Sequence, residues 1–220
     1  IPRQIAERQG FKAIRWMKMT DPSGTEAPSK VGSFLIWQQP HLIYLAELLY
    51  RANPSEELLK KYNSLIQETA EFMYSFATYE EEHDRYVLKG AIPAQETLRA
   101  AETVNPPFEL SYWHFAMQVA QTWRERTGME REPERDVLIE KLSPLAYNDE
   151  QLYLAAETAV DTYKDIRFTS DHMAVLGAVG ILPMNQLIHA GDMKNTLHWI
   201  WDNWNWDKTW GWDYPMTAMI

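Results

Sequence analysis

A stretch of about six helical turns constrains the fold of this chain most. Beyond Asn53-Pro54, bulky side chains recur at spacings of three and four: Leu58, Tyr62, Leu65, Thr69, Phe72 and Phe76. This spacing predicts a long amphipathic helix with one broad buried face. Asn53 is expected to cap the helix, with Pro54 at its first position. A shorter pattern from Pro40-His41 through Leu49 predicts a preceding helix, so the two would form a helical hairpin.

The other periodic segments are also helical. Four more helices are predicted, over residues 107–128, 134–142, 171–182 and 191–204. Short strands are predicted at 85–88 and 151–154. Three connections are longer than ordinary loops, which is typical of segments that carry function, namely 17–36, 79–107 and 143–170. The sequence therefore predicts an all-α fold of helical hairpins whose loops gather at one end.

Composition narrows the classes of ligand. The chain has 220 residues, is 45% hydrophobic and 24% charged, and is expected to be a soluble globular protein, cytoplasmic or periplasmic. A net charge of −10 without a run of Lys or Arg argues against nucleic acid and against a membrane surface. The absence of cysteine excludes thiolate chemistry, and the histidines lack metal-ligand spacing. No metal or cofactor is predicted, and a homo-oligomer is left open.

Aromatic residues are unusually dense, with ten Trp and eleven Tyr, and six of the Trp lie within residues 199–212. Such side chains fill the core of a helical domain, or they line a cleft in which their faces stack on sugar rings. Trp201 and Trp204 follow the apolar spacing of a helix and are predicted to lie in the core. Trp210 and Trp212 fall in the turn beyond it and are predicted to contact a sugar.

Several segments resemble one family of carbohydrate-active enzymes. They are Gly10 to Glu26, Trp37-Gln38-Gln39-Pro40-His41, Gly90 to Glu96, and Val104 to Tyr112. They are similar to motifs of glycoside hydrolase family 65, which includes maltose and kojibiose phosphorylases. The resemblance implies an α/α (six-hairpin) toroid, of which residues 1–220 would form one incomplete catalytic-type domain. The N-terminal part of the barrel and any β-sandwich are expected to be absent from this chain.

The same resemblance implies roles for individual residues. Glu96 falls on the general acid of the family, and Gln95 beside it is expected to contact substrate. Trp37, Gln38 and His41 lie where the family opens a barrel helix and contributes to the sugar site. The ordinary alternatives are a solvated loop glutamate for Glu96 and, for the other three, packing of the first turn of the hairpin.

The last turn of the chain departs from this family. The phosphorylases present a His-Gly-Ser-Ser-like phosphate cradle there, whereas this chain has Trp210-Gly211-Trp212-Asp213. The pattern is more similar to the Asp-bearing turn of the family 95 inverting fucosidases, which implies that Asp213 is a general base. Asp213 could instead cap a helix, because Tyr214-Pro215 follows it. Asp207 is the rival candidate for the base.

Two carboxyl groups of unequal pKa are the minimum equipment for cleaving a glycosidic bond. The leading hypothesis is an inverting glycoside hydrolase of α-linked oligosaccharides, with Glu96 as general acid and Asp213 as general base. A phosphate-dependent disaccharide phosphorylase is the first alternative. The second is a non-catalytic carbohydrate-binding protein. An oligosaccharide is the expected partner in all three cases.

Overall fold

The computed structural model describes residues 1–29, 31–32 and 34–220; the predicted connection 17–36 thus contains two positions, 30 and 33, outside the described residues. Helices dominate this part of the chain. In order, they are α1 (Pro2–Arg8), α2 (His41–Ala52), α3 (Glu56–Phe76), α4 (Pro107–Arg126), α5 (Pro133–Lys141), α6 (Ala174–Gly180), α7 (Ala190–Asn203) and α8 (Asp213–Ala218). The prediction of an all-α fold is confirmed. None of the helices has the length and apolarity that crossing a membrane requires, as far as the described residues go.

The chain divides into two compact units. Unit 1 comprises Ile1–Ser33, Gln38–Tyr86 and Trp113–Leu142, and unit 2 comprises Phe34–Trp37, Val87–Tyr112 and Ser143–Ile220. Helix α4 therefore supplies its first six residues to unit 2 and the remainder to unit 1.

Unit 1 is built around the predicted helical hairpin of α2 and α3. The buried side chains of α3 follow the predicted spacing, and Ile66, Phe72 and Met73 have no exposed surface. The predicted cap is wrong, because α3 begins at Glu56 rather than at Pro54. Ser55 has extended backbone angles and its hydroxyl accepts a hydrogen bond from the Leu58 amide at 3.3 Å, which satisfies an otherwise unpaired donor of the first turn.

The predicted strands have different outcomes. Residues 85–88 correspond to β2 (Arg85–Val87), which pairs with β1 (Thr78–Glu80). A strand over 151–154 is wrong, because Tyr153 makes only an isolated bridge to Tyr147. Two backbone hydrogen bonds flank this bridge, from the Leu154 amide to the Ala146 carbonyl and from the Asn148 amide to the Leu152 carbonyl, and the Leu152 amide donates to the Asn148 side chain, so the pairing ends in a tight turn and does not extend into a strand.

Unit 2 contains α6, α7 and α8 and most of the long connections. Helix α7 agrees with the predicted 191–204, whereas α6 begins at Ala174, so Asp171 and His172 lie in the loop before it. Helices α6 and α8 contact each other, and an added Cβ at Gly180 would lie 2.5 Å from the Ile220 side chain. A side chain at position 180 would therefore displace the Ile220 side chain.

The predicted burial of the Trp-rich segment is half right. Trp204 is buried, whereas Trp201 is 61% exposed and does not belong to the core. Trp201 lies within α7, on the side of the helix that faces solvent. Trp204 directly follows the last residue of α7, where the backbone is extended. From there the Trp204 indole donates to the Asp171 carbonyl at 3.0 Å.

Candidate functional site

The loop that carries Glu96 is anchored on both sides of that residue. Glu96 itself is partly buried, in a turn of the connection between β2 and α4. Before it, the buried Gln95 side chain donates from Nε2 to the Phe168 carbonyl at 3.0 Å. After it, the Thr97 backbone amide donates to Asp171 Oδ2 at 2.7 Å, and the Thr97 hydroxyl donates to the same oxygen. These contacts hold the backbone of Glu96 in place.

A third anchor comes from Glu109 in the first turn of α4. Its Oε1 accepts a hydrogen bond from the Ala94 amide at 2.6 Å, while Oε2 has no partner among the described residues. The side chain is buried, and this burial raises the pKa of Glu109 to about 7. Glu109 was not predicted as a site residue. The available signal was its position in the segment Val104 to Tyr112, which resembles the family motif.

Asp213 is fully buried at the start of α8. Both carboxylate oxygens lie 3.1 Å from His172 Nδ1, and Oδ2 also accepts from the Trp210 amide at 3.1 Å and from the Thr209 hydroxyl. The N-cap position of α8 is occupied by Trp212, without a side-chain cap hydrogen bond. The helix-cap interpretation of Asp213 is therefore wrong. Its carboxylate faces groups that precede the helix rather than the amides of the first turn.

The His172 ring contacts both of the Trp side chains that are predicted to bind a sugar. Its ring centroid is 5.5 Å from that of Trp210 in a stacked arrangement and 4.4 Å from that of Trp212 in a tilted one. Both indoles are more than half exposed, while the His172 side chain keeps 11% of its surface exposed. Trp210 and Trp212 thus form the open side of the pair His172–Asp213.

One network connects the loop of Glu96 with the turn of Asp213. Thr97, directly after Glu96, donates to the Asp171 carboxylate, and Asp171 Oδ1 accepts from the His172 amide at 2.8 Å. His172 then contacts Asp213 through Nδ1. The segments of the two predicted catalytic residues are therefore brought together in unit 2. Asp207, the rival base, is exposed and takes no part in this network.

The other predicted sugar contacts are distributed over both units. Trp37 belongs to unit 2, and Gln38 and His41 belong to unit 1. Within unit 1 the Gln38 amide donates from Nε2 to the Trp16 carbonyl at 3.2 Å, and burial lowers the pKa of His41. The substrate contacts of these residues and of Gln95 stay predictions. Within the described ranges, no three His, Asp or Glu side chains are grouped so as to hold a metal ion.

Comparison with known proteins identifies a similar fold. No protein-family model matches the chain, and no curated protein matches it. Among solved structures it is similar to a putative kojibiose phosphorylase from the human microbiome, with a TM-score of 0.60 and 13% sequence identity. The match covers 94% of this chain and 30% of that one, so the chain spans less than a third of that protein. The likeness is one of fold, and it agrees with a portion of an α/α toroid.

Proposed function

We propose that this chain is part of an inverting glycoside hydrolase acting on α-linked oligosaccharides, with Glu96 as general acid and Asp213 as general base. The observation that carries the proposal is the network Thr97–Asp171–His172–Asp213, which ties the neighbour of one carboxyl group to the other. An inverting reaction needs two carboxyl groups held about 6.5–9.5 Å apart. A rigid network is what keeps such a separation constant.

The surroundings of the two carboxyl groups also suit a sugar. Trp210 and Trp212 are 59% and 52% exposed and can stack on the apolar face of a pyranose ring. Trp37, Gln38, His41 and Gln95 are the further proposed contacts, on the strength of the motif they belong to.

A phosphate-dependent disaccharide phosphorylase is the second candidate. It is favoured by the name of the similar structure, a putative kojibiose phosphorylase. Against it stands the buried carboxylate of Asp213, because this turn would have to hold phosphate and a second anion repels it. A non-catalytic carbohydrate-binding protein is the third candidate, since exposed Trp side chains bind sugars without any reaction.

The test is to incubate the full-length protein with a panel of α-linked disaccharides, with and without inorganic phosphate, and to follow the released sugar by NMR. We expect phosphate-independent release of the inverted, β anomer. Strict phosphate dependence would establish the phosphorylase, and saturable binding without turnover would establish the binding protein.

Glu96 is tested in the same assay. Glu96→Gln should lower turnover by about 10²–10⁴-fold, the usual contribution of a general acid, in a variant that a melting curve shows to be folded. Glu102→Gln is the matched control, because Glu102 is an exposed glutamate in the same connection. Turnover by Glu96→Gln within a few-fold of the wild type would remove Glu96 from this role.

A further inference from the structure

We propose that His172 is the residue that takes the proton from the attacking water, and that Asp213 acts through it rather than on the water directly. This inference rests on the proposed hydrolysis and assigns its base function to the pair His172–Asp213. The geometry of three groups points to it: the Asp213 carboxylate, the two ring nitrogens of His172, and the Trp210 and Trp212 indoles that contact the ring.

Asp213 has no access to a water molecule of its own. The residue exposes 0% of its surface, and its oxygens already face the Nδ1 of His172, the Trp210 amide and the Thr209 hydroxyl. A general base must come within about 2.6–3.2 Å of the proton it removes. The proton of the attacking water must therefore be removed by a group that contacts Asp213, and Asp213 acts by making that group more basic.

His172 is that group. An ionised carboxylate only accepts hydrogen bonds, so Nδ1, at 3.1 Å from both Asp213 oxygens, carries the proton and donates it. The lone pair of the neutral ring is then on Nε2, which has no hydrogen-bond partner within the part of the chain that the structure describes. Because 11% of the His172 side chain is exposed, this ring still borders solvent.

The ring is also fixed in position. Trp210 and Trp212 lie against it, with centroids at 5.5 Å and 4.4 Å, and its backbone amide is bonded to Asp171 at 2.8 Å. Asp171 in turn holds Thr97, directly after Glu96. The proposed base and the proposed acid therefore belong to one rigid arrangement, which general acid–base catalysis requires.

Glu96 donates its proton to the glycosidic oxygen while the C1–O bond breaks, and the oxygen of water forms the new bond to C1 as Nε2 takes one of its protons. The resulting imidazolium is stabilised by the Asp213 carboxylate. It then loses that proton to solvent, and Glu96 regains one from solvent, so that one glycosidic bond and one water have become two hydroxyl groups.

The first experiment measures hydrolysis by the full-length protein carrying His172→Ala, with added imidazoles of increasing basicity. Turnover should fall by about 10²–10⁴-fold and should be restored increasingly by the more basic imidazoles. His189→Ala is the matched control, because His189 also faces an aspartate, Asp192, at 3.2 Å, but its side chain is 75% exposed. Activity of His172→Ala within a few-fold of the control, or rescue that ignores basicity, would overturn the role of His172.

The second experiment uses Asp213→Asn, which preserves volume, and azide as a small nucleophile that needs no base. Azide should form a glycosyl azide with His172→Ala and not with Asp213→Asn, since the cavity next to the anomeric carbon opens only when the imidazole is removed. The opposite result would place Asp213 itself against the nucleophile. Failure of the proposed function looks different: the wild-type protein would then release no sugar without phosphate.

Discussion

Two buried carboxylates in the two units have similar burial and different partners. Glu47 in unit 1 is 2% exposed, and Asp213 in unit 2 is 0% exposed. Glu47 accepts from Arg51 Nε at 2.7 Å, from Arg126 Nη1 at 2.6 Å and from the Trp123 indole at 2.7 Å. Burial raises the pKa of Glu47, but the hydrogen bonds from these three residues outweigh it, and the net shift is downward.

The two carboxylates differ in the chemistry of their partners, which are guanidinium groups for Glu47 and an imidazole for Asp213. A guanidinium stays protonated at every physiological pH, so the cluster of Glu47, Arg51, Arg126 and Trp123 can only hold the structure together. The imidazole of His172 has two ring nitrogens, so in the proposed mechanism one faces the buried carboxylate of Asp213 while the other exchanges a proton with the substrate side. The identity of the partner, rather than burial alone, separates a structural carboxylate from a chemical one.

The largest effect on stability is expected for Glu47→Ala. Removing the carboxylate leaves Arg126, whose side chain is 26% exposed, without its partner, while Arg51 is 56% exposed and can be solvated. The free energy of unfolding should therefore fall by about 2–4 kcal/mol, somewhat less than for a fully buried pair. Urea denaturation measures it, and turnover of the folded variant should not change.

Two control variants sharpen this comparison. Lys60→Ala removes an exposed ion pair with Glu56 on the same hairpin and should leave the unfolding free energy almost unchanged. Asp213→Asn should change stability by less than about 1 kcal/mol, because asparagine still accepts from Thr209 and Trp210. A large loss of stability for Asp213→Asn with normal turnover would make Asp213 a second structural carboxylate and end the contrast.

A comparable but pH-dependent effect is expected for Glu109, a buried carboxyl group with no cationic partner among the described residues. Its pKa is raised from 4.5 to about 7, so the folded state binds more protons than the unfolded state between these values. Stability should therefore fall as pH rises through this window, by a contribution of the order of 3 kcal/mol.

Glu109→Gln should remove this dependence. As pH rises from 5 to 8, the unfolding free energy of Glu109→Gln, measured by urea denaturation, should increase relative to that of the wild type. The control Glu102→Gln should show the same pH dependence as the wild type. If Glu109→Gln kept the pH dependence of the wild type, another group would be its cause.

Much of the fold could be predicted because helix spacing is a local property. The face of α3 and the bounds of α7 follow from residues a few positions apart. The errors arise where the spacing of residues does not distinguish between two local structures. Asn53 and Ser55 both suit a cap, and only the extended backbone of Ser55 decides between them. Trp201 fits an apolar pattern, but its ring makes an edge contact with Trp206, at a centroid distance of 6.0 Å, and stays 61% exposed rather than entering the core.

The candidate site could be predicted only in part, because its contacts join residues that are far apart in the sequence. Glu96 and Asp213 stand out through motifs, whereas His172 meets Asp213 across 41 positions and Thr97 meets Asp171 across 74. A lone histidine before a short helix carries no pattern that indicates such a partner. The relation between the proposed acid, the proposed base and the network that connects their segments is therefore a property of tertiary structure, which periodicity cannot supply.

The smallest expected effect concerns the open side of the pair His172–Asp213. Trp212 is 52% exposed and lies against His172, whereas Trp201 is 61% exposed and lies away from it, on α7. Trp212→Ala should raise KM several-fold, equivalent to about 1 kcal/mol of lost stacking, with little change in melting temperature. Trp201→Ala removes a similarly exposed Trp whose ring contacts Trp206 rather than His172, and it should leave KM unchanged. Equal KM values for the two variants would show that the sugar does not stack on Trp212. The pair His172–Asp213 would then lack a sugar contact on its open side, as Glu47 does.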